Sequence, residues 1–151
     1  MKYIAITQRV QVLSDIGERR DALSQEWASL SEHCGFLPIL FPNVLPVVKT
    51  FLQELPICGI LLSGGNDLAS YGGDAPERDE VERFLVQYAI KQKIPLLGVC
   101  RGMQLLLDFF GTPLVPVKDH VRTEHPLSNG DLVNSFDSFG AVSCKAALEV
   151  T

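Results

Sequence analysis

Apolar runs alternate along the chain with segments in which hydrophobic residues recur every three or four positions. The apolar runs predict five buried strands, at Lys2–Thr7, Phe36–Phe41, Cys58–Ser63, Ile94–Val99 and, shorter, Thr112–Val117. The helical spacing predicts four helices, at Glu18–Cys34, Val44–Leu55, Asp79–Lys91 and Met103–Phe110. Because strands that alternate with crossover helices form parallel sheets covered on both faces, the pattern predicts an α/β fold, a three-layer sandwich with a mainly parallel sheet.

The pattern changes at about Asp119, where polar loops and short extended pieces follow, among them DLVNSF (Asp131–Phe136) and GAVSCKA (Gly140–Ala146). We expect a short antiparallel excursion there, and a single domain over residues 1–151. The chain stops at Thr151 within strand-like sequence, without a helix or turn to close it. We therefore expect this domain to be incomplete at its C-terminus.

Composition narrows the classes of function. Hydrophobic residues make up 46% and charged residues 21% of the 151 residues, which is typical of a globular protein. The formal net charge is −5 without a basic stripe, which argues against nucleic acid and anionic membrane surfaces as partners. No signal peptide or membrane-spanning run is recognised. The four cysteines form no CxxC pair and only three histidines accompany them, so we expect no metal site and a cytoplasmic protein with reduced thiols.

Candidate chemistry lies in the stretch GVCRG, where the fourth predicted strand passes directly into a helix. Gly98 and Gly102 flank Cys100 and keep side chains out of a tight turn that would hold the thiol clear of the core. The dipole and the free amides of a helix N-terminus favour the thiolate form. The alternative is a cysteine that fills the last core position of a strand. The glycine context favours a nucleophile at Cys100, and it is missing around the other cysteines, Cys34, Cys58 and Cys144.

A second candidate element is the stretch SGGND after the third predicted strand. Gly64 and Gly65 let the backbone amides approach a ligand closely. A thiol that attacks an acyl group needs hydrogen-bond donors aimed at the developing oxyanion. The amides of Gly65 and Arg101 would form such a pair if the two strands are neighbours, and the alternative is an ordinary glycine turn. Asn66 and Asp67 are interpreted as residues that shape this turn.

Taken together, these stretches resemble the class I glutamine amidotransferase superfamily and, within it, the γ-glutamyl hydrolase branch of the peptidase C26 type. The matching pieces are IAITQR, ILLSGGNDL, IPLLGVCRGMQLL and HPLSNGDLVNSF, which run in the expected order to about Phe136. ERRDALSQEW is also similar to bacterial members tied to capsule phosphoramidate synthesis, which release glutamate from γ-glutamyl-CDP-amidate. The resemblance implies a flavodoxin-like fold.

The resemblance also implies a mechanism without a metal or organic cofactor. Cys100 would attack the γ-carbonyl of a glutamyl amide and form a thioester, which water hydrolyses. Gly65 and Arg101 would donate their backbone N–H groups to the oxyanion. Gly64 would contact the substrate, a small γ-glutamyl compound or glutamine. Gln104 would help to hold the glutamyl group, and the alternative for Gln104 is a solvent-facing helix position.

The sequence departs from the family pattern in its last part. The family takes its catalytic base from a late WHPE-like segment, and the 151 residues contain none. Asp137 follows VNSF where relatives commonly have a histidine. His33, His120 and His125 are interpreted as surface or loop residues and not as substitute bases. We therefore expect this chain to be impaired as an enzyme, with an open sheet edge that favours self-association or a partner.

Three hypotheses remain open on the sequence. In the first, the chain is a piece or a shortened form of a γ-glutamyl hydrolase. In the second, it is a glutaminase subunit that delivers ammonia to a synthetase. In the third, it is a non-catalytic remnant that keeps the fold for binding or regulation. Whether the chain forms a homo-oligomer also stays open.

Overall fold

The computed structural model describes residues 2–118, 121–126 and 129–141. The helices are α1 (Glu26–His33), α2 (Leu45–Glu54), α3 (Pro76–Gln92) and α4 (Arg101–Phe109). The strands are β1 (Lys2–Thr7), β2 (Arg9–Leu13), β3 (Glu18–Ala22), β4 (Phe36–Phe41), β5 (Ile57–Leu62), β6 (Leu96–Gly98), β7 (Val115–Pro116), β8 (Val121–Pro126), β9 (Leu132–Phe136) and β10 (Phe139–Gly140). These elements form two compact units, Met1–Leu105 and Leu106–Thr151.

The first unit is built on a four-stranded parallel sheet in the order β4-β1-β5-β6. Helix α1 contacts β4, helices α2 and α3 contact each other, and α3 also contacts β5. The core includes Ala5, Ile6 and Leu62, which are completely buried. This mainly parallel sheet with flanking helices confirms the predicted α/β class. Because β5 and β6 are neighbours, the turns that follow them lie side by side at one edge of the sheet.

Strand β4 contains a proline within the parallel sheet. Pro38 lies opposite Ile4 of β1, and β4 is the outermost strand on its side of the sheet. A proline cannot donate to a strand ladder, so it is tolerated on an edge strand. The predicted strand Phe36–Phe41 therefore forms at full length despite Pro38.

The first predicted helix is wrong in its first half. Glu18–Ala22 is strand β3, which pairs antiparallel with β2, and α1 begins only at Glu26. Gly17 has φ +65° in the turn between β2 and β3, a conformation that favours glycine. The apolar spacing around Trp27 predicts one long helix, and Gly17 directly before Glu18 is the local signal that the prediction left out.

The second unit contains two antiparallel strand pairs, β7–β10 and β8–β9. The β8–β9 pair is an antiparallel excursion of the kind predicted after Asp119. The fifth predicted strand, Thr112–Val117, is wrong as a member of the parallel sheet, because only Val115–Pro116 is a strand and it pairs antiparallel with β10. Two prolines in this run remove the donors that an interior strand needs. The predicted piece GAVSCKA lies outside the described residues beyond Ala141, as do Cys144 and His120.

No helix in the described parts of the chain is both long and apolar enough to span a lipid bilayer.

Candidate active site

Cys100 lies at a sharp turn between β6 and α4. Its φ is +53°, in the left-handed region, which costs a residue with a side chain about 1 kcal/mol. The turn is closed by a hydrogen bond from the Gly102 amide to the Val99 carbonyl, with N···O 2.9 Å, and α4 begins directly afterwards at Arg101. Cys100 is only half-buried, so it does not fill a core position. Strained backbone at an accessible nucleophilic side chain motivates a functional interpretation of Cys100.

The two glycines after β5 lie close to other groups of the site. A methyl group added at Gly64 would lie 3.2 Å from Cβ and 3.3 Å from Sγ of Cys100. Gly65 has φ +84°, and a methyl group there would lie 2.9 Å from Cδ of Arg9. The structure therefore brings the Gly-Gly turn and the cysteine turn together, as expected for neighbouring strands.

A cavity of about 190 Å³ opens beside the thiol. Gly64, Val99 and Cys100 line one part of it. The rest is lined by the β2–β3 hairpin and the segment that leads into α1, through Arg9, Ala22, Leu23, Ser24 and Trp27. The lining of the cavity is mainly apolar, and Arg9 is the charged residue in it. Sequence reasoning missed this wall because it placed the segment in a helix.

Two asparagines anchor the hairpin that forms this wall. The Asn66 side chain accepts a hydrogen bond from the Val10 amide at 2.8 Å and donates one to the Val10 carbonyl at 2.9 Å. The Asn43 side chain donates to the carboxylate of Asp21 at 2.7 Å and to the carbonyl of Gln8 at 3.0 Å. Asn66 therefore does more than shape its own turn, because it also fixes β2 relative to the Gly-Gly turn.

Four charged side chains are buried behind the two turns: Arg78, Asp79 and Glu82 of α3, and Arg101 of α4. We call this group the α3 charge cluster. Arg78 and Glu82 are completely buried, Arg101 is 1% exposed and Asp79 is 8% exposed. Arg78 Nε donates to Glu82 at 2.9 Å, while Arg101 pairs with both Asp79 and Glu82. The cluster therefore contains two guanidinium groups and two carboxylates in direct contact.

Burial changes the proton affinity of both arginines in the cluster. It lowers the pKa of Arg78 to about 10, an effect that Asp79 and the charge of a Cys100 thiolate oppose. Burial also lowers the pKa of Arg101 to about 9, and repulsion by Arg78 acts in the same direction. Because both values lie above 7, both arginines remain cations at neutral pH. The influence of Cys100 on Arg78 means that a thiolate there and this guanidinium attract each other.

The remaining candidates are Gln104, the backbone amide of Arg101 and His33. Gln104 is only 3% exposed, so the alternative of a solvent-facing helix position is wrong. Its backbone N–H donates a hydrogen bond to the backbone carbonyl of Cys100, with N···O 3.1 Å. The amide of Arg101 stands at the first position of α4, where helix amides have no partner within the helix. His33 is exposed at the end of α1, as expected.

A parallel α/β sheet with a thiol at a strand-to-helix elbow, beside a Gly-Gly turn, defines a class I glutamine amidotransferase-like protein. The sequence profile described as Peptidase C26 matches residues 3–135, and the chain belongs to this family.

Two curated relatives are similar to the chain over different lengths. A γ-glutamyl-CDP-amidate hydrolase of Campylobacter jejuni is 30% identical over 146 residues, which cover 91% of this chain and 70% of the relative. A γ-glutamyl-γ-aminobutyrate hydrolase of Escherichia coli O157:H7 is 32% identical over 108 residues, which cover 65% of this chain and 42% of the relative. The match to the second relative therefore extends over less than half of that protein.

A solved structure shows the same fold. It is the crystal structure of a protein from Thermoplasma acidophilum that is described as a GMP synthase subunit, with a TM-score of 0.65 over 95% of this chain and 68% of that one. The two sequences are 15% identical, so this similarity concerns the fold alone.

The contact between Gly64 and the thiol leads to a first prediction. Gly64→Ala is expected to displace Cys100 Sγ and to slow its reaction with a γ-glutamyl amide by about tenfold to a hundredfold, because small misplacements of reacting groups are costly. Release of nitroaniline from γ-glutamyl-p-nitroanilide in a single turnover measures this effect. Gly59→Ala is the matched control, since its added methyl group would meet Ile4 at a similar 3.3 Å. Equal rates for the two variants would contradict the assignment of Gly64 to the site.

Proposed function

We propose that the protein hydrolyses a γ-glutamyl amide through a thioester on Cys100. The observation that carries this proposal is the position of Cys100, which is held in left-handed backbone against Gly64 and beside a cavity. Membership of the Peptidase C26 family and two relatives described as γ-glutamyl amide hydrolases support the same class of reaction.

The reaction consists of two acyl transfers. The thiolate of Cys100 attacks the γ-carbonyl carbon, and the amides of Gly65 and Arg101 donate hydrogen bonds to the oxyanion that forms. Collapse of this intermediate breaks the C–N bond, and the amine leaves with the proton that Cys100 gave up when its thiol ionised. Water then breaks the C–S bond, which releases glutamate and restores the thiol. Gly64 contacts the acyl group. Gln104, which is buried in α4 behind the turn, helps to hold the glutamyl group.

We further propose that the leaving group carries a negative charge. Arg9 lines the cavity beside Cys100, although the chain as a whole has a formal net charge of −5. The substrates named for both relatives have an anion beyond the amide that is cleaved, a diphosphate in one and a carboxylate in the other. Arg9 suits either anion, since a guanidinium binds phosphate and carboxylate through paired hydrogen bonds. A γ-glutamyl-CDP-amidate is the larger of the two candidates.

A single-turnover comparison of four substrates tests both parts of the proposal. The substrates are γ-glutamyl-p-nitroanilide, γ-glutamyl-γ-aminobutyrate, γ-glutamyl-CDP-amidate and glutamine. We expect a glutamyl adduct on Cys100, detected by mass spectrometry, that forms fastest with the two anionic substrates. Arg9→Gln should remove this preference, whereas Arg20→Gln, an exposed position on the same hairpin, should keep it.

The other outcomes distinguish the hypotheses. Absence of an adduct with every substrate would contradict the hydrolase proposal and favour a non-catalytic role. Equal rates with neutral and anionic substrates would contradict the role of Arg9. Acylation by glutamine alone would favour a glutaminase that works with a synthetase.

We also infer a reducing, cytoplasmic location. Cys34, Cys58 and Cys100 are all thiols in the structure. Accessible thiols persist in reducing compartments, and the proposed mechanism requires the thiol of Cys100.

A further inference from the structure

The buried guanidinium of Arg78 takes up the carbonyl groups of the turn after β5. Its Nη2 donates to the Ser63 carbonyl at 2.7 Å and to Ser63 Oγ at 3.2 Å. Its Nη1 donates to the Gly64 carbonyl at 3.1 Å and also to the Gly65 carbonyl. One side chain therefore fixes the orientation of three consecutive peptide groups.

The direction of these carbonyls determines the direction of the amides. A trans peptide is planar, so the C=O of one residue and the N–H of the next point to opposite sides, and the described residues contain only trans peptides. Because the carbonyls of Ser63 and Gly64 face Arg78, the N–H groups of Gly64 and Gly65 are directed away from it. Gly64 lies directly against the Cys100 side chain. The amides are thus turned out of the buried cluster, on a turn that contacts the thiol.

The second proposed oxyanion donor is held by the same helix. The side chain of Arg101 is buried against Asp79 and Glu82 of α3. Its backbone amide is the first of α4 and directly follows Cys100. Glu82 also pairs with Arg78, so it connects the group that orients the Gly-Gly turn with the residue that follows the thiol. Asp79 in addition accepts a hydrogen bond from the Ala69 amide at 2.8 Å, which ties the loop beyond this turn to α3.

We propose that Arg78, Asp79 and Glu82 of α3 act as positioning residues that align the amides of Gly65 and Arg101 for the oxyanion. This inference rests on the proposed function, since it concerns how the same site stabilises the acyl-transfer transition state. The three residues do not touch the substrate. They act through the backbone that they hold, which explains why a short helix segment carries three completely or largely buried charges.

Arg78→Lys tests the inference because it keeps the positive charge but loses the planar fork. A lysine ammonium cannot hold three carbonyls and Glu82 in the geometry that a guanidinium provides. Two reactions of Cys100 are compared. Alkylation by iodoacetamide needs the thiolate but no oxyanion donor, whereas release of nitroaniline from γ-glutamyl-p-nitroanilide needs both.

We expect Arg78→Lys to slow nitroaniline release by about a hundredfold and to change alkylation less than about threefold. The measurement is the rate of nitroaniline release divided by the rate of Cys100 alkylation. A purely structural defect would slow both reactions together or neither, and would leave this ratio unchanged. Arg19→Lys is the matched control. Arg19 also binds a carboxylate of α3, that of Glu77 at 2.7 Å, and a loop carbonyl, that of Asp74 at 2.8 Å, but it is exposed. Arg19→Lys should leave the ratio unchanged.

A second variant covers the case in which Arg78→Lys does not fold. Asp79→Asn weakens the contacts of Asp79 with Arg101 and with the Ala69 amide, keeps Arg78 and its bonds to the Gly-Gly turn, and should lower the ratio about tenfold. If either folded variant keeps the wild-type ratio, the positioning role of the residue it replaces is overturned, although the hydrolase proposal stands. If the wild-type chain alkylates at Cys100 but releases no nitroaniline, the hydrolase proposal fails, and this inference fails with it.

Discussion

Cys100→Ser is expected to reduce nitroaniline release from γ-glutamyl-p-nitroanilide by at least about 10⁴-fold. The thiolate is the attacking group in the proposed reaction, and a serine hydroxyl at the same turn remains protonated and is a far weaker nucleophile. The measurement is the burst of nitroaniline in a single turnover, which reports thioester formation whatever the rate of the later hydrolysis.

The other thiols provide controls for this result. Cys34 and Cys58 are exposed, and neither lies at a strand-to-helix turn. Cys34→Ser and Cys58→Ser should therefore keep the wild-type burst. A Cys100→Ser variant that retains the burst, or a Cys34→Ser or Cys58→Ser variant that loses it, would overturn the assignment of the nucleophile.

The strained backbone at Cys100 also affects stability. Its φ of +53° disfavours any residue with a Cβ atom, so Cys100→Gly should have a higher melting temperature than Cys100→Ala although both are inactive. The opposite order would mean that the turn carries no strain at Cys100.

The sequence predicts the two turns of the site because their signals are local. Apolar runs that end in GG or in GVCRG mark both the strands and the points where they stop, and parallel strands end at the same edge of a sheet. The sequence therefore predicts that Cys100, Gly64 and Gly65 lie close together if the two strands are neighbours. Neighbouring strands were an assumption, and the pairing of β5 with β6 confirms it.

The walls behind and beside the thiol could not be predicted in the same way. Arg78 and Glu82 are four residues apart on α3, a spacing that is typical of a solvated salt bridge on a helix surface. Only the fold shows that both are completely buried, because their partners come from the turn after β5 and from Arg101. Periodicity also predicts a helix at β3 and the segment after it, which hid the contribution of Ala22, Leu23 and Ser24 to the cavity.

Gly102 is a position at which a substitution is expected to lower stability strongly. A methyl group added there would lie 2.2 Å from the Leu62 carbonyl oxygen and 2.7 Å from Leu62 Cβ. Leu62 is completely buried at the end of β5, and its carbonyl accepts the Val99 amide at 2.9 Å. Neither the backbone of Leu62 nor that of Gly102 can move without breaking the connection between β5 and the cysteine turn.

Gly102→Ala is therefore expected to lower the free energy of unfolding by about 3 kcal/mol or more, at the upper end of overpacking effects. Urea denaturation followed by circular dichroism measures this change. Gly35→Ala is the control, because Gly35 has φ +79° and nothing within 4 Å of the added methyl group, so it should cost only about 1 kcal/mol. If both variants lose equal stability, the close approach of α4 to β5 does not limit the fold. If Gly102→Ala is the less stable, the glycine after Cys100 is required because it lets the helix start against the strand that carries the Gly-Gly turn.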